Sequence, residues 1–126
     1  MDKKIIKVVK RSSDLDHTSE MWVKCSYDER RQEIVNFITD NKGYEPSPNM
    51  MFIREVVFDV PDHATIYDLK HSLEQIKRDC GLDCFQISID RANRKAHMLF
   101  DWYDRNAQEC VYLYITLEYK LSVILL

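Results

Sequence analysis

Only two glycines, Gly43 and Gly81, occur in the 126 residues of the chain. Average usage of about 7% would give roughly nine glycines in a chain of this length. Loops that bring a glycine-rich backbone against a phosphate, such as the Walker A loop and the dinucleotide fingerprint, are therefore excluded. Several large classes of nucleotide-dependent enzymes are excluded with them.

The first glycine follows a predicted helix. Ser26 and Glu29 have the spacing of a capping box, in which the serine oxygen accepts an amide hydrogen bond of the first turn and the glutamate reaches back. The helix is predicted to run to about Lys42. Gly43 then supplies the left-handed residue that commonly ends a helix.

The second glycine follows the most regular helical pattern in the chain. Thr65 and Asp68 repeat the capping-box spacing. The apolar residues that follow recur at steps of three and four, which places them on one helix face: Ile66, Leu69, Leu73, Ile76 and Cys80. Gly81 is predicted to end this helix in the left-handed conformation, as Gly43 ends the first.

Strand patterns fill most of the remaining sequence. β-Branched and aromatic residues in residues 3–11, 51–60, 84–90 and 94–101 predict strands, and residues 21–25 are either a short strand or an anchor through Trp22. A turn near Ala92 and Asn93 joins two of the strands, and Asn93 is expected to take any positive φ there. The order β-α-β-α-β-β-β predicts a single α+β domain over residues 1–126. In it, two helices pack on one face of a largely antiparallel sheet of about five strands.

The C-terminal residues carry the longest alternation. From residue 109 to about 124, apolar side chains alternate with polar ones, and the chain ends in LSVILL. This predicts a strand far longer than the usual 5 to 6 residues, with a bend or bulge in it. An apolar strand of this length invites pairing between copies, so a homodimer through the C-terminal strand is expected.

Part of the chain resembles a known fold family. Residues 56–89, VVFDVPDHATIYDLKHSLEQIKRDCGLDCFQISI, resemble the strand, turn, helix and next strand of a ubiquitin-like β-grasp domain, particularly in VPDHATIYDLK. The resemblance implies an alternative topology, a β-grasp core with the first helix as an insertion. It also implies a protein-binding scaffold. The last residues, SVILL, lack a diglycine tail, so a conjugated modifier is not implied.

The net charge and the distribution of apolar residues limit the partners and the cellular compartment that we expect for this chain. The formal net charge is −3, from 18 basic and 21 acidic residues, so no strong field draws the chain to nucleic acid or to an anionic membrane. The start has no continuous apolar core of a signal peptide, and no run of about 18 apolar residues occurs. A cytoplasmic protein with reduced cysteines is expected.

The segment DCGLDC, residues 79–84, raises the question of a metal or redox site. Cys80 is predicted to face the core from the second helix. Cys84 is predicted to lie on the sheet face opposite Phe85, Ile87 and Ile89, so the two thiols should point apart. A structural zinc site also needs four ligands, usually in close pairs. We therefore expect no metal and no cofactor.

Two sets of residues suggest more specific functions. Asp62, Glu118 and Lys120 have the residue types of a metal-dependent nuclease, in which the carboxylates hold the metal and the lysine orients water. The exposed aromatic residues predicted near the long strand could stack on single-stranded nucleic acid or contact a protein: Tyr112, Tyr114, Trp102 and Tyr103. Alternating glutamate and lysine are also common on solvated strands, and tyrosine pairs also stabilise sheet faces.

Weighing these patterns, we expect a small non-catalytic binding protein: an adaptor, regulator or inhibitor that acts through protein–protein contacts. Accessory proteins of phages and mobile elements are often of this kind, and an inhibitory role is included for that reason. The nuclease and the single-stranded nucleic-acid binder remain the alternatives.

Overall fold

The computed structural model describes residues 6–10 and 20–110. The described strands are β1 (Ile6–Lys10), β2 (Glu20–Val23), β3 (Ile53–Asp59), β4 (Asp83–Asp90), β5 (Lys95–Asp101), β6 (Tyr103–Asp104) and β7 (Glu109–Cys110). The helices are α1 (Tyr27–Lys42) and α2 (Ile66–Cys80). The predicted α+β class is confirmed, since two helices pack with an antiparallel sheet.

Both predicted helix boundaries are confirmed in atomic detail. Ser26 and Thr65 are the N-caps, and each forms a reciprocal capping box with the acidic residue three positions later. Gly43 and Gly81 follow the helices with φ of 78° and 76°. Their amides donate to carbonyls four residues back, which satisfies the last turn.

The main sheet has the order β1–β3–β5–β4–β2, and every neighbouring pair in it is antiparallel. The strands before and after α2 are thus separated by β5. The β-grasp alternative requires parallel pairing of distant strands, so the described strands do not support it. β6 and β7 form a small separate hairpin, and β7 covers the first two residues of the strand predicted from residue 109.

The helices lie on opposite faces of the sheet, not on one face as the sequence predicted. Met98 and Phe100 of β5 belong to a core that contains the apolar stripe of α2, which we call the α2-side core. Leu99, between them, belongs to a second core with Ile34 and Ile38 of α1, the α1-side core. Neighbouring strand residues point to opposite faces, so each face carries one helix. A central strand with three consecutive apolar residues needs cover on both faces.

A β-bulge in β4 changes which side chains face α2. Cys84 lies opposite Phe100, whereas Gln86 lies opposite Leu99, so Phe85 is the extra residue. As a result Phe85 enters the α1-side core, and Cys84 enters the α2-side core with Ile87 and Ile89. The prediction that Cys84 lies on the other sheet face from Ile87 and Ile89 is wrong. It assumed that side chains alternate between the two faces along the whole of β4, and the bulge interrupts that alternation. The side chain of Cys80 lies outside the described residues.

The turn between β4 and β5 also differs in detail. The positive φ of 53° falls on Arg94 and not on Asn93. Asn93 instead donates hydrogen bonds from its backbone and its side chain to the carboxylate of Asp90. Asn93 therefore stabilises the turn through these hydrogen bonds, whereas the left-handed backbone conformation is adopted by the next residue, Arg94.

We predict that Gly81→Ala lowers the free energy of unfolding by about 1 kcal/mol, because alanine is strained at positive φ. A Cβ built on Gly81 would meet no atom within 4 Å, so the loss should be conformational and not steric. Asparagine tolerates this conformation better, and Gly81→Asn should lose less. Urea titration followed by circular dichroism measures both. Equal losses for the two variants would contradict this explanation.

Candidate functional site

The described residues form a groove between α2 and β2, with a volume of about 300 Å³. Its lining is partly apolar and partly charged: Trp22, Lys24, Lys70, Leu73, Glu74, Lys77, Asp83 and Cys84. The apolar part continues the α2-side core, to which Leu73 and Cys84 belong. The groove is therefore an opening over the core with charged residues around it.

Helical and strand periodicity bring these side chains together. Lys70, Glu74 and Lys77 follow one another along α2 at steps of four and three, so they share a face of the helix. Trp22 of β2 lies opposite Ile87 of β4, which turns its ring toward the α2 side of the sheet. The groove thus has one wall from a helix and one from a strand.

Lys70 and Trp22 meet across the groove. The Lys70 ammonium lies 4.9 Å from the centroid of the indole ring, which is the geometry of a cation–π interaction. Trp22 is only partly buried. Within residues 20–110, no carboxylate forms an ion pair with Lys70. The contact therefore leaves the ammonium able to pair with an incoming anion.

Asp83 links the groove to the opposite face of the sheet. Its carboxylate lies 3.4 Å from the ammonium of Lys24 and 3.4 Å from that of Lys77, both in the groove. The same carboxylate accepts a shorter, 2.8 Å hydrogen bond from Arg30 of α1. Because Asp83 is the first residue of β4, it can be reached from both helix layers at the end of the sheet.

Arg30 is the buried centre of this charge network, with a side chain only 8% exposed. Its guanidinium donates to Asp83 and, at 3.2 Å, to Asp101 at the end of β5. It also lies over the ring of Phe85, 4.9 Å from the centroid. Asp101 in turn pairs with Arg105 at 2.8 Å and accepts the Tyr103 amide. Every charge in this network has an opposite charge in contact, as burial requires.

The pKa values follow from these contacts. Burial opposes the charged form of Asp83, but hydrogen bonding and charge from Arg30, with help from Lys24 and Lys77, lower the pKa of Asp83 below its ordinary value. Burial also opposes the charge of Arg30, yet Asp83 and Asp101 raise the pKa of Arg30 above its usual range. Both groups are charged at neutral pH.

The two described thiols have raised pKa values and are not activated nucleophiles. Burial raises the pKa of Cys84 far above its ordinary value, and its Sγ donates to the carbonyl of Gln86 at 3.2 Å. Burial likewise raises the pKa of Cys25, although the nearby Arg30 opposes the shift. A reactive thiolate requires the opposite change in pKa.

The proposed aromatic binding surface is corrected in part. Trp102 and Tyr103 are 1% and 5% exposed, and they belong to the α2-side and α1-side cores respectively. The chain turns from β5 into β6 at this point, which places one ring on each side of the sheet. Tyr112 and Tyr114 lie outside the described residues, so their exposure remains a prediction.

Of the three residues proposed for a nuclease, only Asp62 lies in the described part of the chain. Asp62 lies in the exposed turn before α2, where its carboxylate pairs with Arg94 at 3.1 Å. Glu118 and Lys120 lie outside the described residues, as does the strand predicted to form the homodimer beyond residue 110. Over residues 20–110 and the first strand, no group of three His, Cys, Asp or Glu side chains is placed to hold a metal ion.

The groove itself was not predicted from the sequence. From the sequence, Trp22 is predicted only as a possible anchor, and no role is predicted for the lysines of α2. The spacing of Lys70 and Lys77 on the helix was visible, but nothing local indicates that β2 lies alongside. That contact depends on the pairing of β2 with β4, more than 60 residues later in the chain.

Comparisons with protein-family models, curated proteins and solved structures gave no match. Neither of the described helices is long and apolar enough to cross a membrane. The assignment of a function therefore rests on the geometry of the groove.

We predict that Arg30→Ala lowers the free energy of unfolding by about 3 kcal/mol. The buried carboxylate of Asp101 would lose its ion pair with Arg30 and keep the one with Arg105. The matched control is Arg78→Ala, which truncates an exposed arginine of α2. That control should change stability by less than about 0.5 kcal/mol. Urea titration of both variants measures the difference. Similar small losses in both would contradict the role given to Arg30.

The lowered pKa of Asp83 predicts a pH-dependent stability. The unfolded chain takes up the proton at the ordinary value of about 3.9, and the folded chain takes it up only at lower pH. The stabilisation is therefore present above that ordinary value and is lost as pH falls through the folded pKa. Urea titrations from pH 7 to pH 3 should show a shallower acid decline for Asp83→Asn. Asp40→Asn, at an exposed position, should follow the wild type, and an unchanged decline in Asp83→Asn would disprove the linkage.

Proposed function

We propose that this chain is a non-catalytic binding protein that acts through protein–protein contacts at the groove between α2 and β2. The observation that carries the proposal is the pairing of a partly exposed Trp22 with Lys70, which has no carboxylate partner in the described part of the chain. Adaptor, regulator and inhibitor are all roles that such a binding surface supports.

The composition of the groove supports this proposal. Protein interfaces combine an apolar centre, in which tryptophan is enriched, with a charged rim. Here Trp22, Leu73 and Cys84 supply the apolar centre, and Lys24 and Lys77 lie at the rim. The volume of about 300 Å³ is at the lower end for ligand pockets, enough for one large side chain of a partner.

The groove also has rigid walls. α2 is capped at both ends, and β2 is held to β4 by four register pairs. Arg91 adds a bidentate ion pair to Glu20, at 2.7 and 2.8 Å, and donates to the carbonyls of Asp62 and Ala64 before α2. These contacts join the start of β2 to the start of α2. A preformed site of this kind loses little entropy on binding.

The test is affinity capture of the tagged protein with variants that change the groove and variants that do not. Trp22→Ala and Lys70→Glu should each lose a specific captured protein by at least about tenfold in quantitative mass spectrometry. Lys42→Glu, the same charge reversal at an exposed site on α1, should retain it. Circular dichroism confirms that each variant is folded.

The outcomes separate the proposal from its alternatives. Equal capture by the wild type and both groove variants would refute the groove as the contact site. Divalent-metal-dependent cleavage of DNA or RNA, lost in Glu118→Ala, would establish the nuclease instead. Co-capture of an untagged copy of the chain would support the predicted homodimer.

A further inference from the structure

We infer that the groove binds an acidic peptide segment with an apolar side chain between its carboxylates. This inference rests on the proposed function and specifies the chemistry of the partner. Three features of the groove carry it: its charge, its apolar floor and the spacing of its lysines.

The charge of the groove favours an anion. Three ammonium groups line it, from Lys24, Lys70 and Lys77, against the carboxylates of Glu74 and Asp83. Asp83 makes its shortest contact with Arg30 on the other face, and its distances to Lys24 and Lys77 are both longer. Among the described residues, the ammonium of Lys70 has the indole ring of Trp22 as its partner and no carboxylate. The lysines are thus under-neutralised, and a carboxylate placed among them gains charge-assisted hydrogen bonds.

The apolar floor of the groove favours a ligand that carries an apolar group beside the anion. Leu73 and Cys84 are buried members of the core, and the partly exposed ring of Trp22 adjoins them. Tyr67 lies three residues before Lys70 on α2, so it extends the same helix face, and it is 81% exposed. A free phosphate or a simple carboxylate would leave these surfaces in water. A leucine or an aromatic side chain would cover them.

The lysine spacing sets the length of the segment. Lys70 and Lys77 are seven residues apart, which corresponds to about 10 Å along the axis of a helix. An extended peptide rises about 3.3 Å per residue and turns alternate side chains to one face, so two carboxylates four positions apart share a face and lie about 13 Å from each other, within reach of both flexible lysine side chains. The apolar side chain lies between them. This spacing distinguishes a specific segment from a generally acidic chain.

A polyanion fits the groove less well than such a peptide. The carboxylates of Glu74 and Asp83 lie in the lining and would repel a continuous phosphate backbone. Carboxylates on either side of an apolar residue can avoid them by pairing only with the lysines. The experiment must therefore distinguish an acidic peptide from a nucleic acid as the ligand of the groove.

The experiment is selection of phage-displayed random 12-residue peptides on the immobilised full-length chain. We expect enrichment of peptides with two Asp or Glu residues four positions apart and a Leu, Phe, Tyr or Trp midway between them, since this spacing puts all three side chains on one face. Lys70→Glu/Lys77→Glu should lose these peptides at least about tenfold and select Lys or Arg in their place. Lys42→Glu should select the same peptides as the wild type.

Three results would overturn the inference. The first is no enrichment over an uncoated surface, and the second is enrichment without excess acidic residues. The third is displacement of the selected peptides by a single-stranded oligonucleotide that binds with at least equal affinity, which would indicate a nucleic-acid site. Binding of one selected peptide should also weaken between 50 and 300 mM salt, since the contacts are exposed ion pairs.

Failure of this inference is distinguishable from failure of the proposed function. A captured partner that is lost in Trp22→Ala but retained in Lys70→Glu/Lys77→Glu would leave the groove as a protein-binding site and refute its acidic ligand. A partner retained in both variants would refute the groove itself.

Discussion

The guanidinium of Arg30 connects α1 to the adjacent ends of two neighbouring strands, because it donates to Asp83 of β4 and to Asp101 of β5. A helix that packs only through Ile34 and Ile38 could slide or rotate over the sheet. A planar group with fixed donor directions does not permit that freedom. The position of α1, the start of β4 and the turn into β6 thus depend on the same charged contact.

The β-bulge at Phe85 makes this arrangement compatible with a core on both faces. The ring of Phe85 supports the Arg30 guanidinium on one side, while Cys84 closes the apolar layer under α2 on the other. Without the extra residue, Phe85 would share a face with Ile87 and would be absent from the α1-side core. The bulge therefore serves both the charge network and the floor of the groove.

The local features of the fold could be predicted from the sequence, and the long-range ones could not. The capping boxes, the terminating glycines and the apolar stripe of α2 depend on residues three to five positions apart. The opposite placement of the helices depends on the strand order, and the bulge depends on contacts with β5. Arg30 gave no signal, because an arginine in a polar helix sequence indicates a solvent-facing side chain until its distant partners are known. The groove was missed for the same reason.

Asp83 has a further consequence because its one carboxylate is shared between a buried cation and two groove cations. A ligand that draws Lys24 and Lys77 toward itself removes part of the field that keeps Asp83 ionised. Occupancy of the groove and the proton affinity of Asp83 are then linked reciprocally, so that each changes the other by the same free energy. Because Arg30 donates to the same carboxylate, a change in the charge of Asp83 would also weaken the contact that holds α1 on the far side of the sheet.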